Sequence, residues 1–163
     1  MNLPLPTNPK PDFRGLIEAI EHAPADDSLS NPFSQVQWDV LTGYLLPQVL
    51  PQSQILFAQG TMDRALYLVE SGTLSVHSQD AKGRLRMAIV TAGSVVGEAA
   101  FFSHQPRVAT AQAAADCKLW NLAPLRYTEL ANRQPAIALR LAMAVGAVLA
   151  KRLADRRRRP AVT

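Results

Sequence analysis

Between residues 52 and 122 the chain consists of short apolar runs separated by glycine, and this rhythm restricts the fold more than any other feature. The runs are Ile55–Ala58, Ala65–Glu70, Thr73–Ser78, Leu85–Val90, Ser94–Val96, Val108–Ala113 and Lys118–Leu122, all rich in Val, Leu, Ile and Ala. Gly60, Gly72, Gly83 and Gly93 fall between them at spacings of 12, 11 and 10. Short strands with turn signals at such intervals describe a sandwich or a closed roll. Ser71-Gly72 and Lys82-Gly83 read as hairpin turns, in which glycine supplies the positive φ.

The flanks have a different texture. Pro4, Pro6, Pro9 and Pro11 remove backbone donors from the first dozen residues, so 1–12 is expected to be a flexible arm. Phe13, Leu16, Ile17 and Ile20 have the spacing of a short amphipathic helix over 13–22, ended by Pro24 and a polar run. Residues 34–46 read as helical again until Pro47 and Pro51, which makes 13–50 an N-terminal helical region. From Pro124 the pattern returns to helix: one over LRYTELANRQ, and a second that starts at Pro135 and runs to about Arg158. The expected architecture is mainly β with flanking helices: a double-stranded β-helix, or jelly-roll-like β-roll, over 51–123. Two C-terminal helices follow over 124–158, and 159–163 form a tail.

A chain of 163 residues, 48% hydrophobic and 18% charged, suits one globular domain. Its net charge of +4 suggests a nucleic-acid binder until the charge is located. Lys151, Arg152 and Arg156 to Arg159, against Asp155, put +5 in residues 151–163 and leave −1 for residues 1–150. The single cysteine, Cys117, excludes an internal disulfide and a cysteine-rich zinc site, and fits a reducing, cytoplasmic compartment. The N-terminus lacks the basic start and apolar run of a secretory signal. Leu141–Ala150, ten residues, is the longest uncharged apolar run and is too short to span a bilayer.

One segment carries chemistry: AGSVVGEAAFFSHQPRVATAQA, residues 92–113. Gly97 lets a ligand approach the backbone closely. Glu98-Ala99-Ala100-Phe101 can form a helical turn whose leading N–H groups attract anions, while the Glu98 carboxylate suits a sugar hydroxyl. Arg107, after Pro106, presents a planar fork of donors that matches phosphate oxygens. The alternative is an ion pair between Glu98 and Arg107 in a pocket that binds nothing. Phe101, Phe102 and Trp120 are expected in the core, and His104 in an exposed turn.

This segment resembles the phosphate-binding cassette of cyclic nucleotide-binding domains, the module of catabolite activator proteins, kinase regulatory subunits and cyclic-nucleotide-gated channels. The matching residues are Gly97-Glu98 followed by Pro106-Arg107-Val108-Ala109-Thr110, and ILFAQG (55–60), ALYLVESGTLSV (65–76) and CKLWNL (117–122) agree with the family's strands. The resemblance covers roughly residues 35–155. It implies a non-enzymatic sensor in which Glu98 accepts the ribose 2′-hydroxyl and Arg107 pairs with the phosphate. Gly97 and the backbone N–H groups of Ala99, Ala100 and Val108, with Ala109 beside them, complete the ligand site. Val108 supplies no hydroxyl where a threonine would help bind guanine, so cyclic AMP is expected in preference to cyclic GMP. Cyclic di-GMP, or a ligand-free scaffold for protein contacts, stays open.

In this family the last helix folds over the base and, in the activator branch, pairs with its twin. Lys151 or Arg152 lies at about the right distance to cap the base. Ala138, Ala142, Gly146 and Ala150 form a row of small residues, and Leu141, Val145, Val148 and Leu149 a second apolar stripe. A helix apolar on two faces is usually buried on two. A homodimer through this helix and an unidentified protein effector are therefore expected. Only Pro160 to Thr163 follow the arginine run, so no sequence-specific DNA binding is expected. No metal or cofactor is expected: His22, His77 and His104 are scattered, and neither a nucleophile elbow nor a Walker loop is present.

Overall fold

The structure, a computed structural model, describes residues 9–155 and Thr163. Residues 159–162 of the expected tail and most of the expected arm, with Arg156 to Arg158, lie outside the described residues; Thr163, the last residue of that tail, is described and buried.

Helix α1 (Arg14–Glu21) turns Leu16 and Ile20 inward, as the spacing requires. Helix α2 (Gln35–Leu41) starts at a capping box, in which the Ser34 hydroxyl accepts from the Gln37 amide and the Gln37 side chain accepts from the Ser34 amide. A 3₁₀ turn (Thr42–Tyr44) follows. Strands β1 (Leu46–Leu50), β2 (Ile55–Phe57), β3 (Leu66–Ser71), β4 (Thr73–Gln79), β5 (Leu85–Thr91) and β6 (Val95–Val96) come next. Helix α3 (Glu98–Ser103), strands β7 (Thr110–Ala113) and β8 (Cys117–Leu122), and helices α4 (Pro124–Arg133) and α5 (Pro135–Ala154) complete the chain.

Each of the seven apolar runs coincides with a strand to within two residues at either end. The expected turn at Lys82-Gly83 closes the β4–β5 hairpin, with Gly83 at φ +76°. Ser71-Gly72 does not form a hairpin: Gly72, at φ +89°, turns the chain from β3 in one sheet to β4 in the other, and the two strands do not pair. Strand β1 departs from the sequence reading, which ran helix through residue 46 and placed no strand before 51. The pattern predicts that Pro47 ends a helix. It is instead a strand residue, tolerated because β1 is an edge strand with no second neighbour to receive an N–H.

The strands form two antiparallel four-stranded sheets, β1-β8-β3-β6 and β2-β7-β4-β5. Tyr67 and Val69 of β3 and Leu119 of β8 face the second sheet and join Leu74, Val76, Val90 and Ala111 in the core of the roll. The alternate residues Leu66, Leu68, Trp120 and Leu122 face outward, under the helices. They meet Phe13, Leu16, Trp38, Leu130, Leu141, Val145 and Val148 in a second core. The central strands β3 and β8 of the first sheet are thus buried on both faces, which is why they read as near-continuous apolar runs. Cys117 lies in the roll core, where burial raises its thiol pKa.

Trp120 and Phe101 are core residues as expected, but Phe102 is not: it is 39% exposed, because α3 is a short helix with one inward face. His104 is exposed and ends α3 in the left-handed conformation, φ +59°. Among the described residues, no helix is long and apolar enough to cross a membrane, and no cluster of His, Cys, Asp and Glu could hold a metal ion.

Candidate functional site

The site is built on the turn from β6 into α3. Gly97 sits between them at φ +92°, a conformation that L side chains rarely adopt. A Cβ there would stand 2.5 Å from Arg107 Nη1 and 2.7 Å from the Ala65 carbonyl oxygen. Glycine is required twice over, by backbone conformation and by the close approach of Arg107. Ala99 and Ala100 occupy the first turn of α3, ahead of the first helical bond from the Phe101 amide to the Gly97 carbonyl.

Arg107 is 1% exposed. Its Nη1 donates to the Gly97 carbonyl at 3.0 Å, and its Nη2 to the Ala65 carbonyl and to Asp63 Oδ2, both at 2.7 Å. The guanidinium lies over the Phe57 ring, 3.9 Å from its centroid. Among the described residues, the buried Nε has no hydrogen-bond partner. The fork is therefore oriented by fixed acceptors with one N–H to spare, which suits an anion oxygen.

Glu98 is fully buried. No ion pair joins it to Arg107 among the described residues, so the alternative of a collapsed Glu98–Arg107 pair is not what the fold adopts. Its countercharge is Arg152, from the last turn of α5, with Nη1 at 2.9 Å from Oε1. Arg152 is itself buried. Its Nε donates to Asp27 Oδ2, and its Nη2 to the Ser94 hydroxyl and the Val95 carbonyl, all at 2.9 Å. Thr163 also reaches Glu98: its N–H donates to Oε1 at 2.9 Å and its hydroxyl to Oε2.

Of the residues read from sequence, Gly97, Glu98, Ala99, Ala100 and Arg107 converge on this turn. Val108 and Ala109 line an adjoining cavity of about 290 Å³ with Val76, Ser78, Arg86, Met87, Ala88 and Leu153. Lys151 is exposed, whereas Arg152, counted in the sequence as part of a basic tail, is an internal charge. Sequence reasoning missed Asp63, Phe57, Asp27, Ser94 and Thr163. None has a spacing motif that ties it to residues 97–107; the two sheets and α5 bring them there.

Residues 47–134 match the family described as the cyclic nucleotide-binding domain. The chain is 33% identical over 118 residues to the cyclic AMP receptor protein of Thermus thermophilus, covering 72% of this chain and 53% of that one. It is 28% identical over 125 residues to the cAMP-dependent protein kinase regulatory subunit of Eremothecium gossypii, covering 77% of this chain and 26% of that one. The chain thus spans about half or less of the length of these two relatives. Among solved structures, a cyclic nucleotide-binding domain from Methylobacillus flagellatus superposes with a TM-score of 0.75 at 20% identity, over 86% of this chain and 78% of that one. The fold, the Gly97–Arg107 geometry and the match over 47–134 agree: this chain belongs to the cyclic nucleotide-binding domain family.

Proposed function

We propose that this chain is a non-enzymatic sensor of a cyclic mononucleotide, cyclic AMP in preference to cyclic GMP, that signals through α5 to a protein partner. The observation that carries this reading is the separate pairing of Glu98 and Arg107. Both are buried and charged, each is held by its own partners, and both border Gly97. A pocket that had lost its ligand would gain by letting the two charges neutralise each other. In this reading Glu98 takes the ribose 2′-hydroxyl, while Arg107 Nε and the N–H groups of Ala99, Ala100 and Val108 take the phosphate. The base lies in the cavity beside Val108 and Ala109. Leu153, one residue after Arg152, covers it from α5.

The preference for cyclic AMP is supported by Val108, which has no hydroxyl for guanine, and by the name of the Thermus relative. Calorimetry of the purified chain tests the reading: cyclic AMP should bind one to one and tighter than cyclic GMP, with a rise in melting temperature. No heat and no thermal shift at millimolar nucleotide would leave the scaffold alternative in its place.

Dimerisation through α5 belongs to the same proposal. Leu139, Met143 and Leu153 are each more than 60% exposed on this helix. Among the described residues, apart from its own helix, nothing lies within 4 Å of a Cβ placed on Gly146, so no neighbour there offsets its cost of about 1 kcal/mol relative to alanine. A second helix packed on this face supplies one. Sedimentation equilibrium should find a dimer that a charge at Met143 (Met143→Glu) splits; a wild-type monomer at all concentrations would remove this element.

A further inference from the structure

The contact between Thr163 and Glu98 has the chemistry of a bound ligand. Thr163 is fully buried. Its hydroxyl donates to Glu98 Oε2 and accepts from the Gly97 N–H at 2.8 Å, while its own N–H donates to Glu98 Oε1 at 2.9 Å. A sugar hydroxyl docked on Glu98 would do the same two things: donate to the carboxylate and accept from the nearest backbone N–H. The Thr163 hydroxyl therefore uses the donor and the acceptor that a ribose hydroxyl would need, and the two cannot be present together.

We infer that Thr163 is an internal competitor for the ligand site: it occupies the ribose position on Glu98 in the ligand-free chain and must leave for a nucleotide to bind. This rests on the cyclic-nucleotide reading above. The occupancy has a physical cause. Among the described residues, a site without Thr163 leaves the fully buried Glu98 carboxylate with Arg152 alone, and its Oε2 without a hydrogen-bond donor. Thr163 fills that need from within the chain. Because Thr163 N–H and Arg152 Nη1 share Oε1, release of Thr163 also alters the anchoring of the last turn of α5. Apparent affinity is the intrinsic affinity multiplied by the fraction of molecules with Thr163 undocked.

Cyclic AMP binding is to be measured by calorimetry on the wild-type chain, on Thr163→Val and on a chain lacking Thr163. Valine keeps the N–H and should bind about threefold tighter; deletion removes both contacts and should bind about tenfold tighter, as for a site docked roughly nine-tenths of the time. Affinities equal within about twofold across the three chains would overturn the inference. A second readout needs no nucleotide: the Thr163 amide should exchange slowly with solvent in the ligand-free wild type and rapidly once cyclic AMP is bound. Exchange at the rate of an unstructured amide in the ligand-free chain would overturn it whatever the affinities. A protected Thr163 amide in a chain whose three forms bind neither cyclic AMP nor cyclic GMP would overturn both the nucleotide reading and competition for it. That result would differ from failure of the contact itself.

Discussion

Arg152→Ala should destabilise the ligand-free fold by about 3–5 kcal/mol, the usual consequence of removing one partner from a buried ion pair. Glu98 is fully buried, and Arg152 is its countercharge. The substitution also strips a donor from the Ser94 hydroxyl, the Val95 carbonyl and Asp27. For a domain of this size each kcal/mol lowers the melting temperature by roughly 2–4 °C, so thermal unfolding should move by about 6–20 °C. The double variant Arg152→Met, Glu98→Gln removes both charges and should be more stable than either single variant requires by addition, with a coupling of about 1–3 kcal/mol. A melting temperature within about 2 °C of wild type for Arg152→Ala would show that Glu98 has no need of Arg152.

Arg107→Ala should cost about 2–4 kcal/mol of stability and, in the proposed function, weaken cyclic AMP binding by about 1.5–3 kcal/mol, roughly 10- to 150-fold. The stability loss comes mainly from the Gly97 and Ala65 carbonyls, which lose their donor, and from the space opened beneath Phe57. The Asp63 contribution is discounted because that side chain is 40% exposed and water replaces the guanidinium there. Arg107→Lys separates the two effects. It keeps the charge but not the planar fork, so it should hold the fold better than alanine while still losing affinity. Calorimetry and thermal unfolding on both variants check this, and wild-type affinity in a folded Arg107→Lys or Arg107→Ala chain would take Arg107 out of the ligand site.

The strands were legible in the sequence because their determinants are local. Alternation in β4 and the glycines at residues 72 and 83 act over two or three residues, and they mark turns without help from the rest of the chain. Which turn closes a hairpin is not local: Gly83 joins paired strands, whereas Gly72 carries the chain from one sheet to the other. Strand β1 was not legible for the same reason. Its burial is low at Leu46 and Val49, it contains Pro47, and only its pairing with β8 makes it a strand. Phe102 shows the converse: an aromatic side chain next to a core phenylalanine reads as core, but a helix of six residues turns only one of the two inward.

The candidate site divides in the same way. Gly97, Glu98 and Arg107 lie within eleven residues, so their types and spacing could be read in one window. Their partners could not. Asp63 is 44 residues from Arg107, Thr163 is 65 from Glu98, and Arg152 is 125 from Asp27. By itself, the sequence determined where the roll turns, that every strand but β1 forms, and that Gly97, Glu98 and Arg107 share one short window. Only the tertiary structure decided that these two charges stand apart, that α5 ends on Glu98, and that Thr163 covers it. The physical reason is that a buried charge must be satisfied by whichever group the closed fold brings within about 3 Å. That choice depends on how two sheets and a helix pack, which no short stretch of sequence encodes.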